Sequence, residues 1–148
     1  MEIETMKRSL LLLAILLLPT LILGCGVKKH SDLPKLYSCK IKIVDKSGAP
    51  VENVTVVATR PESKWAGIGL TDTTGIAILK TNGIYLGVPA GTYKIVATKY
   101  DVKTIKRDGE VVNIIETAVL DKSFADESTT PLQLTVETKP NNETFTIF

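Results

Sequence analysis

From Ser38 to the C-terminus, apolar and polar residues alternate with a period of two. Cys39, Ile41 and Ile43 alternate with Lys40 and Lys42, and Val54, Val56 and Ala58 with Thr55, Val57 and Thr59. The same holds for Tyr93, Ile95 and Ala97 against Lys94, Val96 and Thr98, and for Leu132, Leu134 and Val136 against Gln133, Thr135 and Glu137. A period of two puts one set of side chains on one face of a strand. Short, β-branched, half-polar runs are what strands with one buried face require. The pattern predicts strands near 39–45, 53–59, 66–71, 75–81, 92–98, 102–107, 110–116 and 132–138. Residues 121–131 are polar and read as a loop; residues 144–148 either add an edge strand or remain a tail. After residue 24 no window carries the 3.6 period of an amphipathic helix.

The punctuation between the runs agrees. Asp45-Lys46-Ser47-Gly48 and Asp72-Thr73-Thr74-Gly75 place Asp first and Gly fourth, as type I turns prefer, and Val88-Pro89-Ala90-Gly91 places Pro second and Gly fourth. Gly48, Gly75 and Gly91 let the backbone turn without a Cβ clash. The carboxylates of Asp45 and Asp72 suit capping of turn amides. Asp108-Gly109 reads as a two-residue hairpin loop joining 101–107 to 110–116. Strands with turn signals about every 8–12 residues predict an antiparallel sandwich or barrel. A membrane barrel is disfavoured, because spanning strands need roughly 9–11 alternating residues, and Lys and Thr occupy the face that would meet lipid.

The N-terminus follows another rule. After Lys7 and Arg8, the run Leu10–Leu23 is apolar for 14 residues and contains Pro19. A membrane-crossing helix needs roughly 20 apolar residues, so the run fits the h-region of a signal peptide better. Leu21-Ile22-Leu23-Gly24-Cys25 resembles a bacterial lipobox, with Gly24 as the small residue before the cut and Ile22 where leucine is commoner. The resemblance implies cleavage between Gly24 and Cys25 and lipidation, palmitate included, on the Cys25 sulfur. A cleaved soluble protein and an uncleaved anchor helix are the alternatives. Several acyl chains hold firmly, each buried CH₂ contributing roughly 0.8 kcal/mol. Gly26 stands where aspartate would favour retention in the inner membrane, so the expected location is the cell envelope, on the outer membrane if the host has two.

Removing 24 of the 148 residues leaves 124, enough for one domain with a core. The net charge of +2 is too small to argue for nucleic acid. Residues 26–35 are polar and basic and read as a tether, or as a contact for anionic headgroups. Cys39 has the parity of Ile41 and Ile43 and reads as a small buried hydrophobe; without lipid on Cys25, a Cys25–Cys39 bridge becomes open.

Three motifs fall in order: Asp45-Lys46-Ser47-Gly48-Ala49-Pro50-Val51, Thr71-Asp72-Thr73-Thr74-Gly75, and Pro89-Ala90-Gly91-Thr92-Tyr93. Together, over roughly residues 38 to 116, they resemble the carboxypeptidase regulatory-like domain. That resemblance implies a transthyretin-like (prealbumin-like) fold: an all-β, Greek-key antiparallel β-sandwich of roughly seven to eight strands, here after an N-terminal signal helix. The implied organisation is a lipoprotein signal peptide over 1–24, a lipidated tether over 25–37, the sandwich over 38–120, and a C-terminal extension over 121–148 made of an added strand plus a tail. The motif residues Asp45, Gly48, Asp72, Gly75, Pro89, Gly91 and Tyr93 have structural jobs in it, Tyr93 with core parity and a hydroxyl suited to tying a loop. Two related families do not fit. Pilin-like sandwiches crosslinked by lysine and asparagine need lysine and glutamate where Ile43 and Ala97 stand. Transthyretin-like hydrolases acting on hydroxyisourate use histidines and end in Tyr-Arg-Gly-Ser, whereas this chain has His30 alone and ends Thr144-Phe145-Thr146-Ile147-Phe148.

No catalytic residue, metal ligand set or cofactor motif emerges. His30 lies in the tether, no serine sits in a Gly-x-Ser-x-Gly elbow, and two cysteines with one histidine do not make a zinc cluster. Asp72 among threonines admits calcium, but turn capping explains it more simply. The candidate binding surface is Arg60, Lys64 and Trp65, with Trp65 either capping the core or standing exposed as an aromatic anchor. Lys99, Lys103, Lys106 and Arg107 read as a solvated face. The function expected is a non-enzymatic, lipid-anchored envelope protein with a structural or binding role. Its partners would be the membrane, through lipid on Cys25, and an envelope protein or polysaccharide, without nucleic acid. The alternative is a small-ligand carrier or a transthyretin-like hydrolase in the periplasm.

Overall fold

A computed structural model describes residues 30–147. The expected signal helix, Gly24 and Cys25, the first tether residues and Phe148 lie outside the described residues. The alternating runs become β1 (Leu36–Tyr37), β2 (Cys39–Val44), β3 (Thr55–Thr59), β4 (Gly67–Leu70), β5 (Ile76–Ile78), β6 (Lys80–Thr81), β7 (Tyr85–Leu86) and β8 (Val88–Pro89). Then come β9 (Gly91–Thr98), β10 (Tyr100–Arg107), β11 (Glu110–Ala118), a 3₁₀ turn at Lys122–Phe124, β12 (Gln133–Val136) and β13 (Asn141–Thr146). The described residues are mostly β-strand, with no α-helix among them. A six-stranded sheet runs β12-β9-β3-β4-β6-β7, a three-stranded sheet runs β13-β2-β5, and β1-β8 and β10-β11 are two-stranded.

Period-two parity explains which sheet faces meet. Val56 and Ala58 of β3, Tyr93, Ile95 and Ala97 of β9, and Leu134 and Val136 of β12 are buried on one face of the larger sheet. Cys39, Ile41 and Ile43 of β2, Ala77 of β5 and Ile147 belong to the same apolar cluster from the other sheet. The run predicted at 75–81 divides at fully buried Leu79: β5 pairs with β2, while β6 pairs with β4 in the other sheet. One short segment thus serves both sheets.

Three expectations need correction. The sheet pairing is not antiparallel throughout: β13 runs parallel to β2, from Asn141 beside Cys39 to Thr146 beside Val44. Because β13 follows a strand of the opposite sheet, no hairpin fixes its direction, and a crossover is what a parallel pair needs. Residues 121–148 are not an extension of a 38–120 domain, since Leu132, Leu134, Val136 and Ile147 join the common core and Pro34–Phe148 form one unit. Nor is the extension one strand with a tail. β12 satisfies the outer edge of β9, and β13 that of β2, edges whose backbone groups would otherwise lie unpaired.

β4 departs from ordinary apolar-in patterning. A Cβ on Gly67 would meet Val88 Cγ2 at 2.9 Å, and one on Gly69 would lie 3.0 Å from the Ile78 carbonyl. Only glycine fits the inner face there, so Ile68 and Leu70 point outward and are exposed.

Candidate functional site

The two turn aspartates have matching surroundings. Asp45 Oδ1 accepts hydrogen bonds from the Ser47 amide (2.8 Å), the Ser47 hydroxyl (2.6 Å) and the Ala49 amide (2.9 Å). Asp72 Oδ1 accepts from the Thr74 amide (2.8 Å), the Thr74 hydroxyl (2.6 Å) and the Ile76 amide (3.1 Å). Donors converging on the ionised form hold both carboxyls below the ordinary aspartate value, with the Ser47 and Thr74 hydroxyls the largest causes. Gly48 (φ 85°) and Gly75 (φ 76°) close the turns in left-handed backbone, and a Cβ on Gly75 would sit 2.6 Å from the Ile43 carbonyl. These are turn staples. Among the described residues no group of three His, Cys, Asp or Glu side chains is placed to hold a metal ion.

The third motif organises the end of the core below the candidate surface. Tyr93 is buried, as its parity predicted, and its hydroxyl donates to the Pro89 carbonyl at 2.9 Å, which ties the loop. Arg60 lies over the Tyr93 ring, its guanidinium carbon 5.3 Å from the centroid. A Cβ on Gly91 (φ 146°) would clash with Arg60 Nη1, so Gly91 is the slot through which the guanidinium reaches the ring. Lys64 Nζ lies 5.0 Å above the Trp65 ring.

Trp65 itself is only 9% exposed. Its backbone N–H donates to Ser63 Oγ at 3.1 Å. Of its two readings the structure places it as a packed residue, and the exposed aromatic anchor is corrected: the indole is covered, and what reaches the surface is the exposed Lys64 and the half-buried Arg60. Arg60 and Lys64 each lie over a ring, Arg60 over Tyr93 and Lys64 over Trp65, in two cation-over-ring stacks rather than an open aromatic platform.

Cys39 is fully buried in β2 with a free thiol. Burial, with Glu143 adding charge repulsion, pushes its pKa up to about 11 and so favours the neutral thiol. His30 is exposed and lies 3.6 Å from Asp32.

Sequence reasoning missed three features. Thr71, Thr81 and Thr130 are buried hydroxyls that bind main-chain groups: Thr71 Oγ1 donates to the Val51 carbonyl and accepts from the Val54 amide, both at 2.8 Å, while Thr81 and Thr130 donate to the Gly87 (2.7 Å) and Ile95 (2.6 Å) carbonyls. Their parity in the alternation was the available signal. Second, Ile68, Leu70, Ile76 and Ile78 line an open groove of about 380 Å³ on the outer side of β4 and β5, with Asp72 and Lys80 at its rim. The glycines of β4 were the available signal for it. Third, a polar groove of about 350 Å³ runs from Leu134 past Glu137 and Lys139 to Glu143; Asn141 spans it, joining the Glu137 amide and carbonyl.

No family model matches this chain, and no curated protein does. Among solved structures it is similar to a 9R-lipoxygenase from Cyanothece PCC8801 at 14% identity and a TM-score of 0.38, over 82% of this chain and 18% of that one. The chain therefore spans less than a fifth of that protein's length, and a likeness of this degree carries no argument about fold or activity.

Proposed function

We propose that the protein is a lipid-anchored, non-enzymatic binding protein of the bacterial envelope. Its body would be a Greek-key sandwich of the transthyretin-like, carboxypeptidase regulatory-like kind, held to the outer membrane, where the host has one, through lipid on Cys25. The observation that carries the binding role is the groove of Ile68, Leu70, Ile76 and Ile78. Leu70 is 59% exposed and Ile78 49%, contiguous apolar surface of the sort that marks an interaction site. Its apolar lining suits an envelope protein better than a polysaccharide. The motif carboxylates Asp45 and Asp72 are already committed to their own turns, which supports a scaffold role for the motif residues.

The test is cross-linking in intact cells followed by membrane fractionation. Cys25→Ser should release a folded protein from the membrane fraction, and Ile78→Asp should abolish the cross-linked product while leaving fractionation unchanged. Membrane retention of Cys25→Ser would refute the anchor. Undiminished cross-linking of Ile78→Asp would refute the groove.

A further inference from the structure

The hairpin of β10 and β11 is an arm without a covering layer. Every residue from Tyr100 to Val119 is exposed. Large apolar side chains stand on both of its faces, Val102 (60%) and Ile114 (57%) on one and Ile105 (38%) and Ile115 (42%) on the other. An isolated two-stranded hairpin is at best marginally stable in water, and three or more strands are needed for independent stability. The two outer edges differ. Ile105 faces Asn113 while Lys106 faces Val111, which leaves Val112 as an extra residue and a bulge in β11. Bulges blunt an edge against further pairing. The β10 edge is regular from Tyr100 to Arg107 and contains no proline.

We infer that the arm pairs with a second copy of this chain, β10 against β10 in antiparallel register, to make a continuous four-stranded sheet. The Val119 amide donates to the Lys99 carbonyl at 2.9 Å. By strand alternation Asp101, Lys103 and Ile105 also turn their backbone groups toward β11, while Tyr100, Val102, Thr104 and Lys106 turn theirs outward. A copy must match outward positions with outward positions, which restricts the registers. Centring on Lys103 opposes Lys103 to the partner's Lys103, and centring on Ile105 opposes Lys103 to the partner's Arg107; like charges directly opposite destabilise. Centring on Val102 keeps only Tyr100 to Thr104 within the arm. Centring on Thr104 pairs the whole stretch 101–107 and sets Asp101 opposite the partner's Arg107, twice by symmetry, with Thr104 on the two-fold axis. The strand is acidic at its start and basic at its end, so an antiparallel copy is its charge complement. The tip, Lys106-Arg107-Asp108-Gly109-Glu110, is charged with both signs, which argues against insertion into a bilayer as the way the arm is covered.

The test uses the full-length chain in detergent solution and reads mass by sedimentation. Wild type should dimerise. Asp101→Lys and Arg107→Glu, each alone, replace two attractive pairs by two repulsive ones and should weaken association by roughly tenfold or more. Mixing the two variants restores both attractive pairs in a mixed dimer, and association should return. Because the mixture contains the same chains, recovery cannot come from a refolded arm. Thr104→Cys should form an intermolecular disulfide on oxidation, since directly opposite Cα atoms about 5.5 Å apart lie within disulfide reach, while Ile114→Cys on the other strand should not. A monomeric wild type, absence of recovery on mixing, or equal cross-linking at Ile114→Cys would each overturn the inference.

Discussion

Thr71→Val is the sharpest test of how the motif loops are held. Thr71 is 2% exposed and its hydroxyl bridges the Val51 carbonyl and the Val54 amide, both at 2.8 Å. Its main chain completes the clamp, with the Thr71 amide on the Val54 carbonyl and the Asn53 amide on the Thr71 carbonyl, each at 2.9 Å. Between these bonds Asn53 is held at φ 59°, a conformation that costs free energy in a residue other than glycine. Valine has nearly the shape of threonine, so packing is preserved while one buried donor and one buried acceptor lose their partner. Each such group costs about 1–3 kcal/mol, and the two together should destabilise by about 2–4 kcal/mol, allowing for partial relaxation. For a domain of this size that corresponds to a fall in Tm of roughly 8–16 °C. Thr71→Ser keeps the hydroxyl and loses only a methyl, worth about 1 kcal/mol. Thermal unfolding of the pair by circular dichroism separates the terms. If the valine variant melts at or above the serine variant, the hydroxyl clamp is not what fixes this loop, and volume alone matters.

Trp65→Ala should lower stability by about 2–4 kcal/mol because the indole is covered, and an unchanged Tm would return Trp65 to the surface. Asp45 and Asp72 are held below the ordinary carboxyl value in the folded state, so their stabilisation is present above the unfolded pKa near 3.8 and is lost as pH falls through the lowered folded values. Stability measured between about pH 5 and pH 2 should therefore drop less steeply in an Asp45→Asn, Asp72→Asn double variant than in wild type, and parallel curves would contradict the turn-staple account. Native Cys39 should resist maleimide at neutral pH and label only on unfolding, as peptide mapping would show; rapid native labelling would mean that β2 opens far more easily than its burial allows.

The strands that were legible are those with one buried face. Ile41 and Ile43 against Lys40 and Lys42, or Leu134 and Val136 against Gln133 and Thr135, carry parity directly from sequence to core. The turn motifs were legible for a related reason: Asp45 and Asp72 act on amides two and four residues away, so the cause lies within the window being read. What escaped depends on distant parts of the chain. The two-residue strands β1, β7 and β8 have no period to show, and Leu36–Tyr37 forms only because Val88–Pro89 lies alongside. The partner of β13 is set by which edge of β2 is vacant, and its parallel direction by the crossover from β12 in the other sheet. The slot at Gly91 requires Arg60 to lie over the Tyr93 ring, a contact across more than thirty residues that no local spacing encodes.

The arm and the groove share one physical cause for having been hidden. Alternation reveals a core only when the apolar set faces inward. On β4 a side chain at Gly67 would crowd Val88 and one at Gly69 the Ile78 carbonyl and Leu79, and Ile68 and Leu70 carry the apolar parity to the outside. On β10 and β11 the apolar residues fall on both faces, Val102 and Ile114 opposite to Ile105 and Ile115, so parity does not point to either as interior. Both segments read as ordinary strands in sequence and both end as exposed apolar surface. A core buries such side chains for stability within one chain; here the same residue types are left exposed, as interaction surfaces are. Substitutions at Leu70 or Ile114 should consequently move binding or association while leaving the melting of the isolated body nearly unchanged, the reverse of what Thr71→Val should do.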